Sequence, residues 1–236
     1  MKKTGILLTK AILVLLFTTF TACSDSGDDL PVAKTNTKTI EFTTSAIGNQ
    51  IETAKQTGEF QKFNFIKGAL EATSDDWDFA VRGRVFLVNG LSKYEGGEKI
   101  GLENEPKRTK DVAVSVQEDE YQTRTSALGL PDHIYKQDAL NRGYENYIAA
   151  INWLPRNFSG DSRKTWYYRS SQNRDLLLLK PIVFIFKTHD GHFAKMAIKS
   201  IKRTNTDFDK KEDIDYVIQY YYNPEKGNPN LDEKIQ

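Results

Sequence analysis

From residue 39 to residue 222 the apolar side chains of this sequence recur with a period of two, the spacing that places alternate residues on one face of an extended strand. Ile40 and Phe42 share a face in residues 39–43, and Phe63 and Phe65 share one further on. Trp77, Phe79 and Val81 alternate with Asp78, Ala80 and Arg82, so the first three are expected to line a core that Asp78 and Arg82 face away from. Gly83 breaks that run, and residues 85–88 carry it on to Asn89-Gly90, a tight-turn signal. Val112, Val114 and Val116 mark another strand. Residues 182–187 form a continuous apolar strand after Pro181, and Thr188-His189-Asp190-Gly191 reads as the turn of a hairpin. The return strand, 192–201, carries Ala194, Met196 and Ile198 on one face and Phe193, Lys195, Ala197 and Lys199 on the other. Residues 214–222 close the set. Only residues 138–153 have a helical reading, interrupted by Gly143. The expected fold is all-β: a single antiparallel domain with at most short helices and a long irregular excursion over about 128–164.

A single cysteine, Cys23, leaves no disulfide to hold such a domain, so its core must do so. With 11 Tyr and 13 Phe in the chain, the composition suits strands.

The N-terminus constrains location. Lys2, Lys3 and Lys10 precede an apolar run of ten residues, 11–20, shorter than the roughly 20 a membrane-spanning helix needs. The run fits the hydrophobic part of a signal peptide ending in the small residues Thr21 and Ala22. Phe20-Thr21-Ala22-Cys23 resembles a bacterial lipobox, in which the cysteine is lipidated and becomes the mature N-terminus. The alternative is ordinary cleavage near Ala22 that leaves a free thiol. Ser24-Asp25-Ser26-Gly27-Asp28-Asp29 is a solvated acidic linker. It also resembles the acidic signal that directs Bacteroidetes lipoproteins to the cell surface. The expected organisation is a signal peptide at 1–22, the lipidated cysteine and a polar linker at 23–38, one domain at 39–223, and a mobile tail at 224–236. Outer-membrane, surface-exposed anchoring through lipid alone follows as the expected location.

Removing 1–22 removes three lysines and no acids, leaving 30 Lys+Arg against 32 Asp+Glu, a balance with no electrostatic case for nucleic acid. The chain has no zinc-hydrolase His-Glu pair, no phosphate-binding glycine loop and no nucleophile elbow. Asp207, Asp209 and Asp213 lack the central glycine and terminal glutamate of a calcium loop. The sequence therefore reads as a binding protein without a metal site, and not as an enzyme.

Three segments in order carry a resemblance: Ser74-Asp75-Asp76-Trp77-Asp78-Phe79-Ala80, then Val88-Asn89-Gly90, then Phe186-Lys187-Thr188-His189-Asp190-Gly191-His192-Phe193-Ala194-Lys195-Met196. Together with the closing Ile218-Gln219-Tyr220-Tyr221-Tyr222 they resemble the HmuY family of haem-binding lipoproteins from Bacteroidetes. That family also has a Trp-Asp strand, an Asn-Gly turn and a late hairpin of the form Thr-x-Asp-Gly-x-Tyr-Ala-Lys. The resemblance spans roughly 39–222. It implies an all-β fold, surface display, and capture of haem for hand-over to an outer-membrane transporter.

The resemblance also implies two His or Met ligands to the haem iron in the loops ahead of the late hairpin. Residues 166–180 contain neither. His133, in Pro131-Asp132-His133-Ile134-Tyr135, is then the candidate iron ligand. Met196 follows a core alternation, His189 sits in the turn, and His192 opens a strand facing solvent. Tyr135, Tyr144, Tyr147, Tyr167 and Tyr168 crowd the irregular region, and Tyr167 and Tyr168 are the candidate pocket residues. They could sandwich a porphyrin, or pack the excursion against the sheet. A fold resemblance does not fix a ligand. A surface lipoprotein that keeps the fold but binds a different small ligand or a protein is the competing reading.

Replacing Cys23 by Ala should move the protein from the membrane pellet to the soluble fraction. Retention of the variant at the wild-type level would refute the lipid anchor.

Overall fold

A computed structural model describes residues 37–48, 56–70, 75–91, 102–140, 147–148, 167–169, 176–178, 181–204 and 210–232, with backbone alone at 139–140, 147–148, 167–169 and 176–178. Cys23, the acidic linker and Tyr144 lie outside these residues. The strands are β1 (Lys38–Ile47), β2 (Gln61–Asn64), β3 (Ala69–Leu70), β4 (Phe79–Arg82), β5 (Val85–Val88), β6 (Ala113–Gln117), β7 (Ala139–Leu140), β8 (Tyr147–Ile148), β9 (Tyr167–Arg169), β10 (Leu176–Leu178), β11 (Val183–Lys187), β12 (Phe193–Arg203) and β13 (Lys211–Tyr222). The helical content described is one 3-10 turn, Asp132–Ile134. The fold is all-β.

Two antiparallel sheets face each other. One has the order β1-β13-β12-β11-β6 and the other β3-β2-β4-β5. Their facing sides share one core, in which Phe63, Phe65, Phe79 and Phe86 meet Phe184, Phe186, Tyr216 and Tyr220. Ring pairs cross between the sheets: Phe65 and Phe186 at 4.9 Å, Phe63 and Tyr220 at 5.1 Å, and Phe86 and Tyr216 at 5.5 Å. Such pairs add roughly 0.5–1.5 kcal/mol each beyond the area they bury.

Strand composition tracks how many faces are covered. Along β13 the inward Ile214, Tyr216, Ile218 and Tyr220 are buried, while Asp213, Asp215, Val217 and Gln219 are only half-covered. In β11 both faces are buried, because Val183 and Ile185 pack under Tyr121, Ala127 and Leu231 on the outer side. That is why the sequence there is a continuous apolar run rather than an alternation. A bulge in β12, between Ile198 and Ser200, leaves Lys199 and Ser200 exposed in succession and returns Ile201 to the core.

The second sheet departs from expectation in several places. Phe79 and Val81 line the shared core, but Trp77 is buried on the opposite side of this sheet, with Phe60, Ala80, Val85 and Leu87. Trp77 precedes the first paired residue of β4, so the period of two does not extend back to it. Asp78 and Arg82 do not face solvent; both are buried. Chain covering this outer side places the Arg82 guanidinium 4.4 Å from the Phe60 ring centroid, with a hydrogen bond to the Glu103 carbonyl.

The hairpin turn lies at Gly83-Arg84, where Arg82 pairs with Val85. Gly83 has φ +53°, the left-handed value that a two-residue turn of this kind needs at its first central position. Asn89-Gly90 is not a turn between paired strands. Its glycine is required by close approach, because a Cβ there would lie 2.0 Å from the Val112 carbonyl oxygen. The helical reading of 138–153 also fails where the chain is described: Asp138 bridges Leu91, and β7 pairs antiparallel with β8. The buried Asp138 carboxylate accepts from Val88 N at 3.0 Å and Arg108 Nη2 at 2.8 Å, which fixes this stretch against β5.

One charged cluster joins the sheets. Glu212 accepts from Arg84 Nε and from Arg203 Nε, each at 2.9 Å, and all three side chains are buried. Tyr216 donates to the Gly83 carbonyl at 2.8 Å beside it.

Trp77 is fully buried, so Trp77→Ala should cost about 3–5 kcal/mol of stability in a denaturant melt. A loss below about 1 kcal/mol would contradict the packing described.

Candidate functional site

All three histidines gather toward one end of the five-stranded sheet. The β11–β12 turn carries two of them. Thr188 N donates to the His192 carbonyl and Gly191 N to the Thr188 carbonyl, each at 3.0 Å, and His192 N donates to Thr188 Oγ1 at 3.0 Å. Asp-Gly in this turn is as expected from the sequence. His189 is exposed. His192 is half-buried rather than solvent-facing: its Nδ1 lies 3.0 Å from Asp190 Oδ1 and its ring 5.3 Å from that of Tyr222. Burial alone would raise Asp190, but the hydrogen bond from Thr188 and the neighbouring His192 and His189 hold its carboxyl down at about 2. Burial, reinforced by the Asp190 and Asp78 charges, pushes the Tyr222 hydroxyl up to about 12.

The Trp-Asp segment lies within electrostatic range of this turn. Asp76 is bonded to Lys110, which lowers its carboxyl. Asp78 is held inside: its backbone N donates to the Phe63 carbonyl at 2.7 Å and its Oδ2 accepts from Phe65 N at 2.7 Å. Burial pushes its carboxyl up to about 6 despite that hydrogen bond, with Asp190 and Asp76 adding in the same direction. Asn89 sits beside it. Its carboxamide donates to the carbonyls of Asp75 at 3.2 Å and Trp77 at 2.8 Å and accepts from Thr109 N at 2.8 Å. The residues that carry the family resemblance are thus bonded into the frame of the domain.

His133 comes from the excursion. The buried Lys195 reaches from β12 to the Tyr121 carbonyl at 3.0 Å and the Arg124 carbonyl at 3.1 Å, with its ammonium 4.3 Å from the Tyr121 ring centroid. Beyond that turn, Ala127 and Leu130 pack on the sheet while Leu128 stays 77% exposed. His133 is exposed in the Asp132–Ile134 turn. Asp132 bonds Lys187, whose ammonium lies 4.3 Å from the Tyr135 ring centroid, so the turn is fastened at the β11 end next to residues 188–192.

Of the candidate site residues, His133 presents an exposed imidazole. Tyr135 is half-buried, and burial pushes its hydroxyl up to about 12, which disfavours the phenolate. Met196 is fully buried in the shared core. Tyr147, Tyr167 and Tyr168 lie in β8 and β9, and their side chains fall outside the described residues. Among the described residues, no three His, Cys, Asp or Glu side chains form a metal site. Sequence reasoning placed Lys195 on a face with Lys199 and missed its burial; its position inside an apolar strand between Ala194 and Met196 is the signal for it.

No family model and no curated protein matches the chain. Similar solved structures do exist. A Bacteroides vulgatus protein described as a candidate HmuY-like haem-binding protein aligns with a TM-score of 0.38 and 14% identity, over 80% of this chain and 94% of that one. The apo HmuY analog of Tannerella forsythia aligns with a TM-score of 0.31 and 16% identity, and apo PinO of Porphyromonas gingivitis with 0.37 and 15%; each alignment covers 80% of this chain and 98% of the other.

The Asp78 carboxyl gives a pH dependence with a definite sign. Its folded value of about 6 lies above the ordinary value of 3.8, so its contribution is complete at low pH and is lost as pH rises through 6. Asp78→Asn keeps an acceptor for Phe65 N and should remove about 2–3 kcal/mol of the stability decline between pH 4 and pH 7. Parallel pH profiles of wild type and variant in denaturant melts would show that Asp78 is not the group responsible.

Proposed function

We propose that this chain is a surface-exposed lipoprotein that captures haem and passes it to an outer-membrane uptake system. The observation that carries the reading is the family-type set of segments in family order, Trp77-Asp78, Asn89-Gly90 and Thr188–Lys195, on a chain with a lipobox at Cys23. The task is binding and release, for which an exposed axial donor on a rigid frame is suited. His133 supplies that donor, and Tyr167 and Tyr168 are the residues proposed to contact the porphyrin. Anchoring would run through lipid alone, and the partner for hand-over would be a membrane receptor or transporter.

A second reading, capture of a different small ligand or of a protein, is favoured by one observation. Residues 166–180 contain no His or Met, and Met196 is in the core, which leaves the usual second iron ligand without a candidate at those places.

A haemin titration followed at the Soret band separates the two. Haem capture requires a saturable Soret shift in the wild type, and His133→Ala should weaken affinity by at least about tenfold, roughly 1.4 kcal/mol. An unchanged affinity in the variant would reject His133 as the ligand, and no shift in the wild type would favour the second reading.

A further inference from the structure

Residues 223–232 are hydrogen-bonded to the rest of the domain at several points. Asn223 N donates to the Phe193 carbonyl at 2.9 Å, and the Asn223 carboxamide donates to the carbonyls of Asn228 at 3.2 Å and Asn230 at 2.7 Å, curling the chain back over the sheet. Gly227 N donates to the Gly191 carbonyl at 2.8 Å, and the Lys226 stem lies against Gly191. Further on, the Pro229 carbonyl accepts from Ala127 N at 2.8 Å, and Leu231 N donates to the Thr125 carbonyl at 2.7 Å. Leu231 is fully buried, in a cluster with Tyr121, Ala127, Val183, Ile185, Ala197 and Tyr221.

One segment therefore touches both histidine-bearing pieces of the chain. It holds the 188–192 turn through Gly191 and the loop leading to His133 through Thr125 and Ala127. We propose that residues 223–232 are a positioning strap that keeps His133 in register with the β11–β12 turn, with Leu231 as its anchor. Leu231 touches no histidine. It acts by fixing the N-terminal approach to His133, residues 121–130; on the C-terminal side the backbone is already held by the Lys136–Val114 bridge, with hydrogen bonds of 2.8 and 2.9 Å. The consequence for haem affinity rests on the function proposed above; the ordering of the loop does not.

The test uses the full chain carrying Leu231→Ala, with Asn223→Asp as a second variant that keeps the side-chain volume and removes the two carboxamide donations to the Asn228 and Asn230 carbonyls. Amide hydrogen exchange should rise at least about tenfold over 121–136 and 188–192 in both variants, while the central amides of β12 and β13 stay at wild-type rates. Haemin affinity should fall in parallel, with thermal unfolding of the sandwich displaced much less. Unchanged exchange over 121–136, or a uniform rise across all strands, would overturn the strap. Exchange that rises in the loops while haemin affinity stays constant would show that the strap does not position the ligand. If the wild type binds no haemin, the haem reading fails and the exchange comparison still decides the strap.

Discussion

Irregular chain laid across the outer faces of two sheets must find partners for its own buried backbone groups, and the arrangement of this domain depends on how that demand is met. Lys195 takes two carbonyls of the 121–124 turn. Asp138 takes the free amide of Val88, and Asn89 takes two carbonyls of the Trp-Asp segment and an amide of the 108–110 stretch. Each is a buried polar side chain inside or beside an apolar strand, where it would be costly without these bonds. Covering both faces also explains the strands that read as unbroken apolar runs.

Much of this architecture was legible in the sequence. The hairpin at Asp190-Gly191, the faces of β13 and the inward set Ala194, Met196 and Ile198 follow from alternation and turn chemistry, which are local. The failures occur where distant chain determines the environment. Asp78 and Arg82 look like solvent-facing residues of an alternating strand, yet both are buried: Phe65 N bonds the Asp78 carboxylate, and the Phe60 ring and the Glu103 carbonyl take up the Arg82 guanidinium. Asn89-Gly90 has the composition of a turn, yet its glycine answers a steric need set by Val112 rather than a dihedral one. Leu231 is a lone apolar residue in a polar tail, so it carries no period at all.

The candidate site divides in the same way. That His189 lies in a turn, and Met196 in the core, could be read from local pattern. That His133 lies beside that turn could not, because the link is an ion pair between Asp132 and Lys187 across many intervening residues. The Trp77-Asp78, Asn89-Gly90 and Thr188–Lys195 segments form part of the frame, while His133 comes from an irregular part of the chain. Changing the loop need not disturb Asp78, Asn89 or Lys195.

The direction of β1 has its own consequence. Lys38 pairs with Tyr220, and Ala194 with Tyr222, so the chain enters the domain at the end of the sheet that bears the β11–β12 turn. Fourteen residues lie between Cys23 and Lys38, a stretch of chain that can span at most roughly 50 Å. Whatever precedes Lys38 therefore joins the domain at its histidine-bearing end. The Gly83 hairpin and the Arg84–Glu212–Arg203 cluster lie toward the opposite end of the sheet, where Ala46 pairs with Glu212.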